Sequence, residues 1–160
     1  MCSYNSAVRI IIVGCGRVGT TLARDFDTAG HAVTVIDISA SALRRLGEDF
    51  SGEMVVGTGL HAAVLRGAGI ATADAFASVT NGDNRNIMAA EIAQVIFKVP
   101  RVIARIYDPV RAATYRELGL ETICSTRIVS SIITDYLVTG DNRARELEAD
   151  ELAPHAASTP

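Results

Sequence analysis

VRIIIVGCGRVG, residues 8–19, is the stretch that decides the fold of this chain. A run of β-branched residues leads directly into the spacing G-x-G-x-x-G, and a helical pattern follows it. In a βαβ unit Gly14 allows the tight turn, Gly16 lets a pyrophosphate approach the backbone, and Gly19 lets the helix pack close to its strand. The free N–H groups and the dipole of that helix attract an anion. The stretch therefore predicts a nucleotide-binding loop.

Three further residues complete the predicted loop: Cys15, Arg17 and Val18. An arginine in this position pairs bidentately with a terminal phosphate or lies in solvent as an ordinary first-turn side chain, and both roles stay open. Cys15 is either a small packing residue or a reactive thiol at a helix start.

The second predicted strand ends in Ile36 and Asp37, eighteen residues after Gly19. This is close to the spacing of the acid that binds ribose hydroxyls in dinucleotide-binding folds. Ile38 and Ser39 follow where an arginine would accommodate a 2′-phosphate. The predicted ligand is therefore an adenine nucleotide (AMP, ADP or ATP) or NAD(H), and not NADP.

Short β-branched runs alternate with helical patterns along the chain, which is typical of repeated βαβ units. Strands are predicted at 8–13, 32–37, 54–57, 75–79, 101–106 and 121–124, and helices at 18–29, 40–50, 62–67, 84–97, 109–118 and 126–137. The nearly continuous apolar character of the strands favours a parallel sheet covered on both faces. We expect an α/β, Rossmann-like doubly wound sheet of six mainly parallel strands over residues 1–139, and a flexible tail or linker over 140–160.

Ligands of open parallel sheets bind beyond the carboxyl ends of the strands. Thr58 and Gly59 follow the third predicted strand, and Thr80 and Asn81 follow the fourth, so these residues are candidate ligand contacts. Arg105 lies near the end of the fifth strand, where an unpaired cation is costly. It is expected either to pair with a carboxylate, Asp83 or Asp108, or to face a phosphate. Asp83 itself is predicted to cap the following helix.

The composition excludes several classes of protein. Fifteen Lys and Arg against eighteen Asp and Glu give a formal net charge of −3, which argues against a nucleic-acid partner. The three cysteines include no C-x-x-C pair, so neither a disulfide framework nor a zinc site is indicated and a cytoplasmic location fits best. No apolar run reaches the length of about 18 residues that a membrane span needs.

The order of several motifs resembles the N-terminal domain of regulators of K⁺ conductance, also called the TrkA N-terminal, RCK or KTN domain. The resemblance covers about residues 8–137 and rests on the motifs GCGRVG, HAVTVID, VVGTGL, ADAFASVTNGDNRNIMAA, VPRVIARIYDP and YRELGLETICS. The pattern T-x-x-D-x-x-N at Thr80, Asp83 and Asn86 is more specific to the family than the glycine loop.

The resemblance implies a cytoplasmic regulatory subunit that binds NAD(H) or ATP/ADP and gates a membrane K⁺ transporter or channel of the Trk or Ktr type. It further implies a homodimer, with a higher ring oligomer in some systems, whose last helix crosses to a second subunit. Carried over by position, Gly14, Gly16, Arg17 and Gly19 hold phosphates and Asp37 holds the ribose. Thr58 and Gly59 then lie at the adenine edge, and Arg105 lies on the phosphate side.

This sequence departs from the family pattern at three places. The usual Gly-Asp-Ala-Thr turn reads Gly57-Thr58-Gly59-Leu60, and the usual Ser-Pro-Glu reads Ser125-Thr126-Arg127, so no metal site is expected. The family's C-terminal lobe does not follow Gly140, which indicates a natural short form or a truncated chain.

Three functions remain open at this point: a nucleotide-sensing gating subunit that needs no catalytic residue, a small NAD-dependent oxidoreductase, and a dimerisation module with a vestigial cleft. An oxidoreductase of the Tyr-x-x-x-Lys type is excluded, because the only lysine is Lys98 and position 94 is glutamine. A P-loop ATPase is excluded because no G-K-S/T occurs. The chain is therefore predicted not to be an enzyme.

Overall fold

The computed structural model describes residues 7–142, and within them the chain forms one sheet of six strands in the order β3-β2-β1-β4-β5-β6. The strands are β1 (Arg9–Val13), β2 (Ala32–Asp37), β3 (Glu53–Val56), β4 (Ala75–Ser78), β5 (Arg101–Arg105) and β6 (Thr122–Ile123). Every neighbouring pair is parallel. The predicted Rossmann-like parallel sheet is therefore confirmed.

Alternate side chains of the central strands enter two different cores, which explains why the strands are apolar throughout. On β1, Ile10 and Ile12 pack with Val33 and Val35 of β2 in one core. Ile11 and Val13 point to the opposite face and pack with Phe76 of β4 in the other. β1 lies between β2 and β4, and because both faces of the sheet are covered there, its residues 10–13 are all buried.

Six α-helices lie in the described part of the chain: α1 (Arg17–Thr28), α2 (Ala40–Leu43), α3 (Ala62–Gly67), α4 (Asp83–Glu91), α5 (Pro109–Glu117) and α6 (Ser125–Thr139). Two of the predicted helices were too long. The α-helical part of the second covers only α2 and continues as a 3₁₀ turn, Arg44–Leu46. The fourth changes after α4 into a π-helical segment, Ile92–Ile96, in which the N–H of Phe97 donates to the carbonyl of Ile92.

The order of the strands creates a crevice between β1 and β4. The chain builds one half of the sheet outward from β1 through β2 to β3, then returns to β4 on the other side of β1 and continues outward. At such a reversal the connections leave in opposite directions, and a crevice opens beyond the carboxyl ends of the strands. The glycine loop follows β1 and therefore lies at this crevice.

Residues up to 124 form one compact unit, and residues from 125 form a second, which within the described residues consists of α6 and the three residues after it. The apolar side chains that α6 exposes are Ile128, Val129, Ile133, Tyr136, Leu137 and Val138. None of the described helices is long and apolar enough to span a membrane. The domain boundary at residue 139 stays a prediction, and residues 143–160 of the predicted tail lie outside the described part.

A buried asparagine joins β4, α4 and β5. Asn86 on α4 is fully buried, and its Oδ1 accepts from the backbone N–H of Thr80 at 2.8 Å and from the Thr80 hydroxyl at 2.7 Å. Its Nδ2 donates to the carbonyls of Thr80 at 2.9 Å and Arg105 at 2.8 Å. The side-chain amide thus satisfies backbone groups at two strand ends that the parallel ladder leaves unpaired.

Asn86→Ala is expected to lower the free energy of unfolding by about 3 kcal/mol, because several buried polar groups at the ends of β4 and β5 lose their partner. Urea denaturation followed by circular dichroism measures the change. Asn84→Ala is the matched control, since Asn84 is exposed in the same helix, and its effect should stay within about 0.5 kcal/mol. Equal effects of the two substitutions would contradict a structural role for the Asn86 network.

Candidate functional site

A cavity of about 880 Å³ opens at the carboxyl ends of the strands. Of the residues that the sequence predicted to hold a cofactor, the structure brings all but Gly19 to the wall of this cavity: Gly14, Cys15, Gly16, Arg17, Val18, Asp37, Ile38, Ser39, Thr58, Gly59, Thr80, Asn81 and Arg105. They come from five separate segments of the chain. The volume lies in the range of about 300–1,000 Å³ that is usual for small-molecule sites.

Two glycines of the loop are required by the fold itself. Gly14 has φ +106, and a Cβ on it would lie 2.9 Å from the backbone nitrogen of Thr80. A Cβ on Gly19 would lie 1.8 Å from the carbonyl oxygen of Gly14, which no L side chain tolerates. Gly19 thus lies behind the loop and lets α1 begin directly beneath it, which is why it does not line the cavity.

The third glycine faces open space. A Cβ on Gly16 would meet no heavy atom within 4 Å, and its φ of −80 is one that any residue adopts. Gly16 is the N-cap of α1, and neither a capping side chain nor an acidic residue is present in the first turn of this helix. The first-turn N–H groups of a helix have no acceptor within the helix. The start of α1 is therefore an open donor site at the cavity wall.

Asp37 ties the glycine loop to the end of β2. Its Oδ2 accepts from the backbone N–H of Cys15 at 2.7 Å, and its Oδ1 accepts from the backbone N–H of Ser39 at 2.8 Å. A carboxylate has about four acceptor positions, so each oxygen retains capacity for a ligand hydroxyl. The acid that the sequence assigned to ribose binding therefore also has a structural task.

Cys15 has no reactive setting. The side chain is 0% exposed, and its thiol donates to the carbonyl of Ala42 at 3.3 Å. The residue serves as a small packing group beneath the loop. The alternative of an accessible thiol at the helix start is wrong, because Cys15 is buried in the core and its sulfur is bonded to the carbonyl of Ala42.

The wall near the ends of β2 and β3 is apolar and tightly packed. Ile38 is 69% exposed at the cavity mouth. Gly59 is buried against Val13, and a Cβ there would lie 2.8 Å from the Val13 methyl carbons. The Thr58 hydroxyl accepts from the backbone N–H of Leu60 at 3.3 Å. The exposed side chain of Ile38 thus presents apolar surface at this half of the cavity.

Arg105 has neither of the carboxylate partners that the sequence suggested. Its Nη2 donates to the carbonyls of Val79 at 2.8 Å and Thr80 at 2.9 Å, and its guanidinium carbon lies 4.7 Å from the centre of the Tyr107 ring. Its Nε is buried and has no hydrogen-bond partner within residues 7–142. The acceptors of Arg105 within residues 7–142 are neutral carbonyls, which do not neutralise its positive charge at the cavity wall.

Asp83 and Asp108 are occupied elsewhere. The predicted capping role of Asp83 is wrong: Gly82 is the N-cap of α4, and Asp83 is the first helical residue. Its carboxylate accepts from the backbone N–H groups of Tyr107 at 2.9 Å and Asp108 at 3.2 Å. Asp108 in turn caps α5 by accepting from the N–H of Val110 at 2.8 Å. Neither acid lines the cavity.

Sequence reasoning missed three cavity residues with functional side chains: Arg45, Arg85 and Tyr107. Arg85 and Tyr107 follow β4 and β5 by a few residues, so the rule that ligands lie beyond strand ends would have found them. Arg45 lies in the 3₁₀ turn after α2, and nothing in its local sequence marks it. With these residues, the part of the cavity wall formed by residues 7–142 holds four arginines and one carboxylate, Asp37, although the whole chain has a formal net charge of −3.

Elsewhere in the described part of the chain, the structure gives weaker candidates for a functional site. A cavity of about 1010 Å³ lies at the amino ends of β1, β4 and β5, among residues such as Val8, Ala75 and Arg101. The glycine loop does not contribute to it. Within residues 7–142, no group of three or more His, Cys, Asp or Glu side chains is placed to hold a metal ion.

The family model of the TrkA-N domain matches residues 10–126 of the chain. A relative from Streptomyces coelicolor named Trk system potassium uptake protein TrkA is 49% identical over 120 residues, which are 75% of this chain and 54% of the relative. A Trk system potassium uptake protein TrkA homolog from Pyrococcus abyssi is 37% identical over 109 residues, 68% of this chain and 48% of the relative. The chain thus spans about half the length of these curated relatives.

Solved structures share the fold at lower identity. The Kef CTD of Shewanella denitrificans in AMP bound form superimposes with a TM-score of 0.69 at 22% identity and covers 90% of this chain and 89% of its own. The GsuK channel bound to NAD gives 0.65 at 23% identity, with 79% and 23% covered. GsuK bound to ADP gives 0.64 at 24% identity, with 78% and 33% covered.

Gly19→Ala is expected to lower the free energy of unfolding by about 3 kcal/mol, because the new methyl group overlaps the carbonyl oxygen of Gly14 and α1 must shift. Gly16→Ala should change it by no more than about 0.5 kcal/mol, since its methyl group enters open space. Thermal or urea unfolding of both variants beside the unaltered chain tests the difference. A strongly destabilised Gly16→Ala variant would show that the loop is packed more tightly than described.

Proposed function

The chain belongs to the TrkA-N domain family, and from this membership we propose that it is a nucleotide-binding regulatory domain of a K⁺ uptake system of the Trk or Ktr type. In this proposal it works in the cytoplasm, at the inner face of the membrane, bound to a K⁺ transporter or channel subunit. The relatives that carry the name of a K⁺ uptake protein support the transport system.

The observation that carries nucleotide binding is the uncapped start of α1 at the cavity wall. It lies at a cleft of about 880 Å³ that Asp37 and Arg17 also line. Phosphate groups bind at helix starts of this kind because the N–H groups and the helix dipole act together. Asp37 at the end of β2 would accept hydrogen bonds from the hydroxyls of the adenosine ribose of such a ligand.

The proposed ligand is an adenine nucleotide or NAD(H). Solved structures with this fold are described as bound to AMP, NAD and ADP, which supports the class of ligand. The carboxylate of Asp37 would repel a 2′-phosphate, so we expect NADP to bind more weakly than NAD. Arg45 lines the same cavity, and an arginine attracts a 2′-phosphate, so the preference for NAD over NADP has to be measured.

The residues around the cavity suit binding better than catalysis. Within residues 7–142 the wall contains no histidine, glutamate or lysine, and the carboxylate that lines it, Asp37, accepts hydrogen bonds from two backbone N–H groups. A general acid or base needs a group that is free to exchange a proton with a substrate. Regulation needs only a ligand that binds one conformation of the assembly more tightly than another. We therefore propose a sensor and not an enzyme.

Calorimetric titration with AMP, ADP, ATP, NAD⁺, NADH and NADP⁺ tests the proposal, and Gly16→Val is the decisive variant. A Cβ at position 16 meets no heavy atom within 4 Å, so we expect the valine side chain to block a phosphate at the start of α1 without unfolding the protein. Loss of charge-assisted hydrogen bonds to a phosphate should weaken binding about tenfold or more. Asp37→Ala is less decisive, because it also removes the acceptor for Cys15 and Ser39.

Gly67→Ala serves as the control, because Gly67 also has open space around it but does not line the cavity. It should bind each nucleotide like the unaltered chain, and the melting temperatures of all variants are compared in the absence of ligand. If the folded, unaltered chain binds none of these ligands, the nucleotide-sensor proposal fails and a module with a vestigial cleft takes its place. Turnover of NADH with a substrate would instead favour an oxidoreductase.

We also propose that the chain forms a homodimer, with a higher ring oligomer as an extension. α6 supports this, because Ile128, Val129, Ile133 and Tyr136 follow one another at helical spacing and are each about half exposed. A contiguous exposed apolar patch is typical of a protein interface.

Sedimentation equilibrium at micromolar concentration should give the mass of a dimer, and Ile133→Glu should shift the mass toward that of the monomer because a charge is placed in the apolar stripe. Ser131→Glu is the control, since Ser131 lies on the other side of the same helix at 3.6 residues per turn. A monomeric unaltered chain, or equal effects of the two substitutions, would exclude α6 as the interface.

A further inference from the structure

We propose that the edge strand β3 is an interaction surface for a second copy of this chain, which pairs with it antiparallel and joins the two six-stranded sheets into one. β3 (Glu53–Val56) ends the sheet on one side, and β2 is its only neighbouring strand within residues 7–142. The proposal rests neither on nucleotide binding nor on the proposed dimer through α6.

Two residues of β3 direct their main-chain groups away from the sheet. Asp37 is the register partner of Val56, and its carbonyl accepts from the N–H of Gly57 at 2.9 Å. Because alternate residues of a strand point their N–H and C=O groups to opposite sides, Val55 faces β2 as Gly57 does, and Met54 and Val56 face outward. Within residues 7–142 no loop or side chain forms a hydrogen bond with the main chain of Met54 or Val56. The outer side of β3 therefore presents donors and acceptors to an added strand.

The side chains of the same two residues are apolar and exposed. Met54 is 49% exposed and Val56 is 60% exposed, and because they are two positions apart they lie on one face of the strand. Soluble proteins commonly protect an edge strand with a proline, a bulge, a lysine or a very short length. β6 at the other edge has two residues, whereas β3 has four, and its one charge is Glu53 at the first position. An added strand at β3 would thus gain main-chain hydrogen bonds and apolar contacts together.

The sequence of β3 suits a partner of identical sequence. In an antiparallel pair with its two-fold axis at Val55, Met54 of each copy lies opposite Val56 of the other, and these residues exchange their N–H and C=O groups. Val55 lies opposite Val55 of the second copy, and β-branched pairs of this kind stabilise a sheet. Glu53 lies opposite Gly57, so no like charges meet. An axis at Met54 or at Val56 would pair only one outward residue of each strand within 53–56, so Val55 is the expected centre.

The contact through β3 is small. A pair of four-residue strands alone is smaller than the interfaces of about 1,200–2,000 Å² that stable complexes bury. Pairing through β3 should therefore depend on protein concentration, and a covalent bond across the pair is the direct way to trap it.

Disulfide trapping tests both the surface and the register. Cys15 and Cys124 are buried, and Cys2→Ser removes the third cysteine of the sequence. In that background Val55→Cys should form a disulfide-linked dimer under mild oxidation, because the Cα atoms of a non-hydrogen-bonded antiparallel pair are about 4.5 Å apart. Glu53→Cys is the control, since its two copies would lie about 13 Å apart in this register, and it should cross-link about tenfold more slowly. Equal rates, or a slower rate for Val55→Cys, would overturn the proposed pairing.

Amide hydrogen exchange of the unaltered chain, followed residue by residue by NMR, tests the same pairing without a substitution. The amides of Met54 and Val56 should exchange about tenfold more slowly at high protein concentration than at low, because pairing gives each of them an acceptor. The Val55 amide faces β2 and should exchange at the same slow rate at both concentrations. If exchange at Met54 and Val56 is independent of concentration, or slows only as much as at Val55, no second copy pairs with β3 and the proposal is wrong.

Discussion

The close approach of Gly14 and Gly19 is the constraint on which the rest of the molecule depends. The carbonyl oxygen of Gly14 occupies the space where a side chain at position 19 would begin, so α1 starts directly beneath the turn that ends β1. A Cβ on Gly14 would also lie 2.9 Å from the backbone nitrogen of Thr80, so the turn leaves no room for a side chain on the side of the β4 end. The close approach of Gly14 and Gly19 thus fixes where α1 begins, where β1 ends and how this part of the crevice wall is formed.

Two polar side chains hold the strand ends on either side of this turn. Asp37 joins the loop to the end of β2 through hydrogen bonds to Cys15 and Ser39, and Asn86 joins the ends of β4 and β5 through Thr80 and Arg105. Strand ends carry N–H and carbonyl groups that the ladder does not pair, and such groups need other hydrogen-bond partners when they are buried. The hydrogen bonds that join the strand ends therefore also hold several residues of the cavity wall in place.

The electrostatic character of the cleft differs from that of the chain as a whole. The protein has a formal net charge of −3, yet the described residues that line the crevice include four arginines and one carboxylate. The helix start of α1 adds a partial positive charge to the same region. A concave wall with an excess of one sign raises the local concentration of the opposite sign. The neutral acceptors of Arg105 and the position of its ring partner Tyr107 keep this excess from being cancelled inside the protein.

The parallel α/β sheet, the glycine turn and most of the residues that meet at the cavity could be predicted from the sequence, because β-branched periodicity and the glycine spacing report local backbone conformation. The sequence did not determine the partners of Arg105, the task of Asp83, the burial of Cys15 or the presence of Arg45 and Arg85 in the cleft. These depend on which residues from distant segments come within hydrogen-bond distance, and only the tertiary structure decides that. A strand pattern shows where a chain segment ends, whereas the partner of a side chain is set by the packing of the other segments around it.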